Sequence, residues 1–255
     1  MQVIPVLDLL DGVVVRGVAG RRETYRPVES CLADGAEPLQ IARAFREQLG
    51  LDRLYVADLD AILHRRPNLD VVRRLADDRF ETWVDPGVQS LDDARTVIDA
   101  GATTIIAGLE TLPGPETLGD LLAAFGPERV IFSLDMQAGR ALTTAGTWSE
   151  TDPFAIGLRA VAEGVGRMIV LDLARVGVGE GVGTAELCDR LASRCPGLVL
   201  MTGGGIRRED DLRQLCQHDV SAVLVASALH SGAVPRSAIE AVQADEGSTG
   251  SKTSG

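Results

Sequence analysis

Short runs of β-branched and aliphatic residues return along the chain at near-regular intervals: VIPVLDL (3–9), RLYVAD (53–58), FETWV (80–84), TTIIAG (103–108), RVIFSLD (129–135), RMIVLD (167–172), LVLMT (198–202) and SAVLVAS (221–227). They are apolar almost throughout and do not alternate. Strands of a parallel sheet covered by helices on both faces read this way. Between most of them the spacing changes to that of an amphipathic helix, as in PNLDVVRRLADD (67–78) and SLDDARTVIDAG (90–101). The second segment opens on Ser90, whose hydroxyl suits an N-cap, and closes on Gly101, which suits the left-handed position after a helix. Eight such units in 255 residues predict an α/β fold, a single (β/α)8 TIM barrel over residues 1–241, with an open doubly wound sheet as the alternative.

The chain also repeats itself at half its length. Shifted by 118 positions, Gly87 falls on Gly205, Val88 on Ile206, the pair Asp92–Asp93 on Asp210–Asp211, and TTIIAGLETL (103–112) on SAVLVASALH (221–230). Asp8 in VIPVLDL has a counterpart in Asp135 of VIFSLDM. Two similar half-barrels closing on each other account for these pairs.

Composition narrows the partners. With 45 % hydrophobic but only 4 % aromatic residues, the core is aliphatic. The net charge of -12 argues against nucleic acid and anionic membranes, which attract basic surfaces. No run approaches the length of a membrane span, and the acidic N-terminus is not expected to act as a signal peptide. The cysteines (Cys31, Cys188, Cys195, Cys216) lack metal-ligand spacing and read as reduced thiols. A cytoplasmic protein is expected, a monomer or small homo-oligomer. Residues 242–255, ending in DEGSTGSKTSG, read as a disordered tail.

In barrels of this kind chemistry sits where strands end and βα loops begin. Those ends carry Asp8, Asp58, Asp60, Asp85, Asp135 and Asp172. Some of them are expected merely to start turns or cap helices. Asp8 and Asp135 end equivalent strands on opposite sides, so they can divide acid and base work between them. Gly203, Gly204 and Gly205 in MTGGGIRREDDL let the backbone approach a ligand, and with Ala226 and Ser227 they mark a phosphate site after the last two strands.

These stretches resemble the histidine-biosynthesis barrels of the HisA/HisF family, the ProFAR (phosphoribosylformimino-AICAR-phosphate) isomerase and its cyclase relative. IPVLDLLDGVVVRG, which contains Arg16, resembles their first-strand signature, GGGIRREDDL their phosphate motif, and IFSLD the strand bearing a second aspartate. The resemblance covers residues 1–240. It implies an Amadori-type aldose–ketose isomerase in which Asp8 and Asp135 are the acid/base pair, acting without cofactor or metal. It also implies substrate contacts by Arg16, Asp172, Gly177 and Trp148, the last resembling a loop tryptophan that stacks on the substrate. VASALH looks more like the cyclase, yet nothing marks a docking surface for a glutaminase partner.

The match departs at three places. VDPGVQ and GLET stand where the family has its other phosphate site, so Asp85, Pro86 and Glu110 oppose an anion there. LDLARVGVG (171–179) keeps Asp172 and Gly177 but loses the family's hydroxyl and acid groups. LDAILHRRPN places His64, Arg65 and Arg66 in the second βα loop, as a solvated cluster or an anion clamp. YVADLDAI (55–62) is similar to a divergent isomerase-like group of methane-related archaea and one-carbon-metabolising bacteria. That likeness implies a mono-phosphorylated ribosyl substrate, as in methanopterin-type cofactor synthesis. A non-catalytic phosphate-ligand binding barrel is the remaining alternative.

Overall fold

The computed structural model describes residues 1–143, 147–178 and 181–244. Its strands are β1 (Gln2–Leu10), β2 (Val13–Arg16), β3 (Arg26–Pro27), β4 (Arg53–Asp58), β5 (Glu81–Asp85), β6 (Thr104–Gly108), β7 (Val130–Gln137), β8 (Arg140–Ala141), β9 (Arg167–Asp172), β10 (Val199–Gly203) and β11 (Ala222–Val225). Among them β1, β4, β5, β6, β7, β9, β10 and β11 pair in parallel, and β11 returns to β1 with Gln2 opposite Ala222. The eight predicted runs therefore form a closed (β/α)8 barrel. The last run stops short: β11 ends at Val225 and Ser227 already belongs to a helix.

Helices α1 (Pro38–Ala44), α2 (Leu59–His64), α3 (Leu69–Asp77), α4 (Leu91–Asp99), α5 (Pro115–Phe125), α6 (Pro153–Ala162), α7 (Ala185–Arg194), α8 (Glu209–Leu215), α9 (Ser227–His230) and α10 (Arg236–Ala244) surround it. In α4 the Ser90 hydroxyl accepts from Asp93 N at 3.3 Å, and Gly101 takes φ +108°, as that sequence predicts. Helix α10 continues to Ala244, three residues into the stretch read as a tail; 245–255 lie outside the described residues. No helix among the described residues is long and apolar enough to cross a membrane.

Two apolar layers explain the unbroken runs. Ile4, Tyr55, Trp83, Ile106, Ile131, Ile169, Met201 and Leu224 fill the barrel, while Val3, Val56, Val84, Ile105, Val130, Val170, Leu200 and Val223 point out under the helices. Successive residues alternate between layers, and both layers are dry. Trp83 plugs the N-terminal end, with the guanidinium groups of Arg53 and Arg167 at 5.4 and 4.9 Å from its ring and its indole N–H donating to Glu81 at 3.1 Å. Trp83→Ala is expected to cost about 3–5 kcal/mol in urea unfolding, because the closed barrel cannot collapse into the space.

The half-barrel repeat extends to backbone detail. The β1–β2 turn places Asp11 and Gly12 at φ 52° and 75°; the β7–β8 turn places Ala138 and Gly139 at 52° and 77°. Leu10 faces Val13 in the first hairpin as Gln137 faces Arg140 in the second.

Candidate active site

At the C-terminal ends of the strands lies a cavity of about 450 Å³. Two segments roof it, the one joining β2 to β3 and the one following β9. They touch each other: Ala19 N donates to Val176 O at 2.7 Å. Gly177, at φ +69°, lies so near that a Cβ there would stand 2.1 Å from Gly17 O. The glycine at 177, carried over from the family resemblance, is thus demanded by the roof itself, and it borders the cavity.

Three carboxylates converge beneath this roof. Asp8, at the end of β1, is half-buried. Burial pushes its carboxyl up to about 7, against the opposing pull of Arg22 and the Gly17 N–H. Asp135, on β7, accepts from the Ser133 hydroxyl at 2.6 Å. Burial first, then the charges of Glu110 and Asp85, hold it well above the usual carboxylate range. Asp85, on β5, accepts from Gly87 N at 3.0 Å and from the Tyr55 hydroxyl at 3.4 Å. Burial chiefly lifts Asp85 to about 7.

Asp85 and Asp135 face one point. A Cβ on Gly108 between them would lie 3.3 Å from Asp85 Oδ2 and 3.1 Å from Asp135 Oδ2. The Tyr55 phenol is raised by burial and then by the charges of Asp85, Asp135 and Asp8, so all four groups share one polar chamber. Arg22 forms an ion pair with Glu110 across its rim.

The raised carboxyls make stability depend on pH. A carboxyl with a higher folded value holds its proton more tightly in the folded chain, so stability falls as pH climbs from about 4, where the unfolded chain ionises. For Asp85 the fall is complete above about 7. Asp85→Asn is therefore expected to stabilise the protein at pH 8 by on the order of 2 kcal/mol, a gain that fades toward pH 4 in urea titrations.

The opposite side of the cavity is bare backbone. Gly204 and Gly205, at φ +77° and +96°, line it with Ala226, Ser227, Arg207 and, at its edge, Arg16. Gly203 does not line it; a Cβ there would meet Leu224 Cβ at 2.7 Å, so strand packing accounts for that glycine. A Cβ on Gly205 would stand 2.2 Å from Gly181 O.

Two expected contacts lie elsewhere. Asp172 borders no part of this cavity; it accepts from Ala138 N, Gly139 N and Ala174 N at 2.9, 2.8 and 3.0 Å, pinning the β7–β8 turn. Trp148 is buried outside the barrel wall, its ring 5.7 Å from Phe132. Of the basic cluster, Arg65 donates to Gly87 O at 2.9 Å and to Asp93 at 2.6 Å, bracing the loop after β5. His64, Arg65 and Arg66 do not border the cavity.

His230 also borders the cavity. Its Nδ1 pairs with the Ser30 hydroxyl at 3.1 Å. Burial pushes it down to about 4, so it is neutral.

Sequence reasoning left Tyr55 and Arg22 unremarked. The first could have been found from its place: in RLYVAD, Tyr55 and Ala57 share the inward face, which puts a phenol inside the barrel.

The family model described as histidine biosynthesis protein matches residues 2–235. An uncharacterized protein of Methanocaldococcus jannaschii is 32% identical over 235 residues, spanning 91% of this chain and 94% of its own. A protein of Syntrophomonas wolfei named 1-(5-phosphoribosyl)-5-((5-phosphoribosylamino)methylideneamino) imidazole-4-carboxamide isomerase, that is ProFAR isomerase, is 30% identical over 244 residues, 92% of this chain and 95% of its own. A protein of the same name from Methanosphaera stadtmanae is 27% identical over 238 residues, 92% and 96% of the two chains. The chain thus belongs to the histidine biosynthesis protein family, the HisA/HisF barrels, with isomerases among its relatives.

Proposed function

We propose that this protein is an acid–base isomerase that converts a phosphorylated ribosylamine into the corresponding aminoketose, an Amadori-type rearrangement. The observation that carries the reading is the pairing, in one cavity, of Asp8 and Asp135 with the open Gly204–Gly205 backbone. Asp135, deeply buried and beside other carboxylates, keeps its proton and serves as general acid toward the ring oxygen. Asp8, half-buried beside Arg22 and raised only to about 7, supplies an ionised fraction near neutrality and takes the proton from C2. A proton then returns at C1 to give the ketose. The phosphate is held by the backbone N–H groups of Gly204 and Gly205 with Ser227, and Arg207 stands at the edge.

ProFAR is the first substrate to test, because it is the one named for the relatives. Purified protein is expected to form the rearranged ribulosyl product, and Asp8→Asn to form it about a thousandfold more slowly. The acidic limb of kcat/KM is expected to rise with pH through about 7, the range of Asp8, with any alkaline limb set by loss of the Asp135 proton. A well-folded parent protein that leaves ProFAR unchanged would turn the search to substrates with a single phosphate. That second reading is favoured by Asp85 and Glu110, which line the cavity at the half-barrel opposite Gly204–Gly205.

A further inference from the structure

The two halves of the mouth are built alike and charged oppositely. Under the 118-residue repeat, Asp85, Pro86 and Gly87 occupy the places of Gly203, Gly204 and Gly205, and Glu110 that of Ala228. The local hydrogen bonds match as well. Gln89 N donates to Asp93 Oδ2 at 2.9 Å, as Arg207 N donates to Asp211 Oδ2 at 2.7 Å. Within one chain, then, the position related to Gly203, immediately before the glycine cradle, carries a carboxylate.

That carboxylate is not a surface charge. Asp85 is 8 % exposed, borders the cavity, and shares the space over Gly108 with Asp135. Tyr55 supports it from the barrel interior. A phosphate placed here would meet Asp85, Asp135 and Glu110, while the neighbouring Arg22 is already paired with Glu110. Pro86 offers it no N–H. An ammonium or hydroxyl group would instead find acceptors.

We propose that Asp85 determines substrate specificity: it accepts hydrogen bonds from a donor-bearing group, an amine in preference to a hydroxyl, at the end of the substrate opposite its phosphate. The inference rests on the phosphate reading of the Gly204–Gly205 half. The substrate class is a ribosyl monophosphate with nitrogen donors at its far end.

Three acyclic compounds that cannot isomerise test it by calorimetry on the full chain: ribitol 5-phosphate, 1-amino-1-deoxyribitol 5-phosphate and ribitol 1,5-bisphosphate. They differ only at C1, which bears a hydroxyl, an ammonium or a second phosphate. The amine is expected to bind about tenfold more tightly than ribitol 5-phosphate, and the bisphosphate about tenfold more weakly. Asp85→Asn keeps the side-chain volume and an acceptor for Gly87 N. In it, both differences are expected to shrink to about threefold or less.

A parent protein that binds the bisphosphate at least as tightly as ribitol 5-phosphate overturns the proposal while leaving the isomerase reading standing. So does an Asp85→Asn variant with unchanged preferences. Failure of all three compounds, and of inorganic phosphate, to bind overturns the phosphate reading and the proposal with it.

Discussion

Asp8→Asn is expected to lower kcat for the isomerisation about a thousandfold, with little change in the affinity for a phosphorylated substrate analogue. The two effects separate because Asp8 lies on β1, near its C-terminal end, whereas the phosphate is assigned to the loops after β10 and β11. Asparagine fills the same volume and can still accept from the Gly17 N–H, but it cannot take up a proton. The exchange also removes a carboxyl lifted to about 7 by burial, so at pH 8 the variant is expected to melt no lower than the parent. Loss of turnover with an undiminished melting temperature separates a chemical role from a structural one. Asp135→Asn is expected to act alike, and the double variant to lose little more than either single one, because the proposed rearrangement needs both groups and stalls when either is missing. An Asp8→Asn enzyme with near-parental kcat would end the acid–base assignment.

The barrel was readable because burying strands on both faces leaves a signal in composition alone. Runs such as TTIIAG have no polar face to place against water, and eight of them at similar intervals leave few other folds. The repeat was readable because turn geometry is encoded locally: Asp11–Gly12 and Ala138–Gly139 take the same left-handed pair of conformations. What a side chain meets across the barrel was not readable. Asp172 looks in sequence like the other strand-end aspartates, yet it spends its oxygens on a neighbouring turn. Trp148 sits in a loop of suitable position, and only the packing against Phe132 places it outside the wall. Asp85 was legible as a charge hostile to phosphate, but its place beside Asp135, with Tyr55 behind it, depends on three strands brought together by closure. The triple glycine mixed two demands, since Gly203 answers to Leu224 while Gly204 and Gly205 face the cavity.

That mixture makes Gly205→Ala a strongly damaging single methyl group in this half of the mouth. At φ +96° any side chain is strained, and the added Cβ would stand 2.2 Å from Gly181 O, a backbone atom that cannot rotate away. The contact is reciprocal, because Gly181 N donates to Gly205 O at 3.2 Å and moving either segment breaks that bond. A loss of about 2–4 kcal/mol in urea unfolding is expected, together with at least tenfold weaker binding of ribitol 5-phosphate as the loop shifts its N–H groups.

Gly139→Ala supplies the comparison. Its φ is +77° and no atom lies within 4 Å of the Cβ position, so it carries conformational strain alone, about 1 kcal/mol. The excess cost at Gly205 measures how firmly the segment after β9 is seated on the glycine turn. Equal costs at the two positions would mean that this segment yields freely. The roof would then be a movable cover over the acids, and the phosphate site would have to be assembled by the substrate itself.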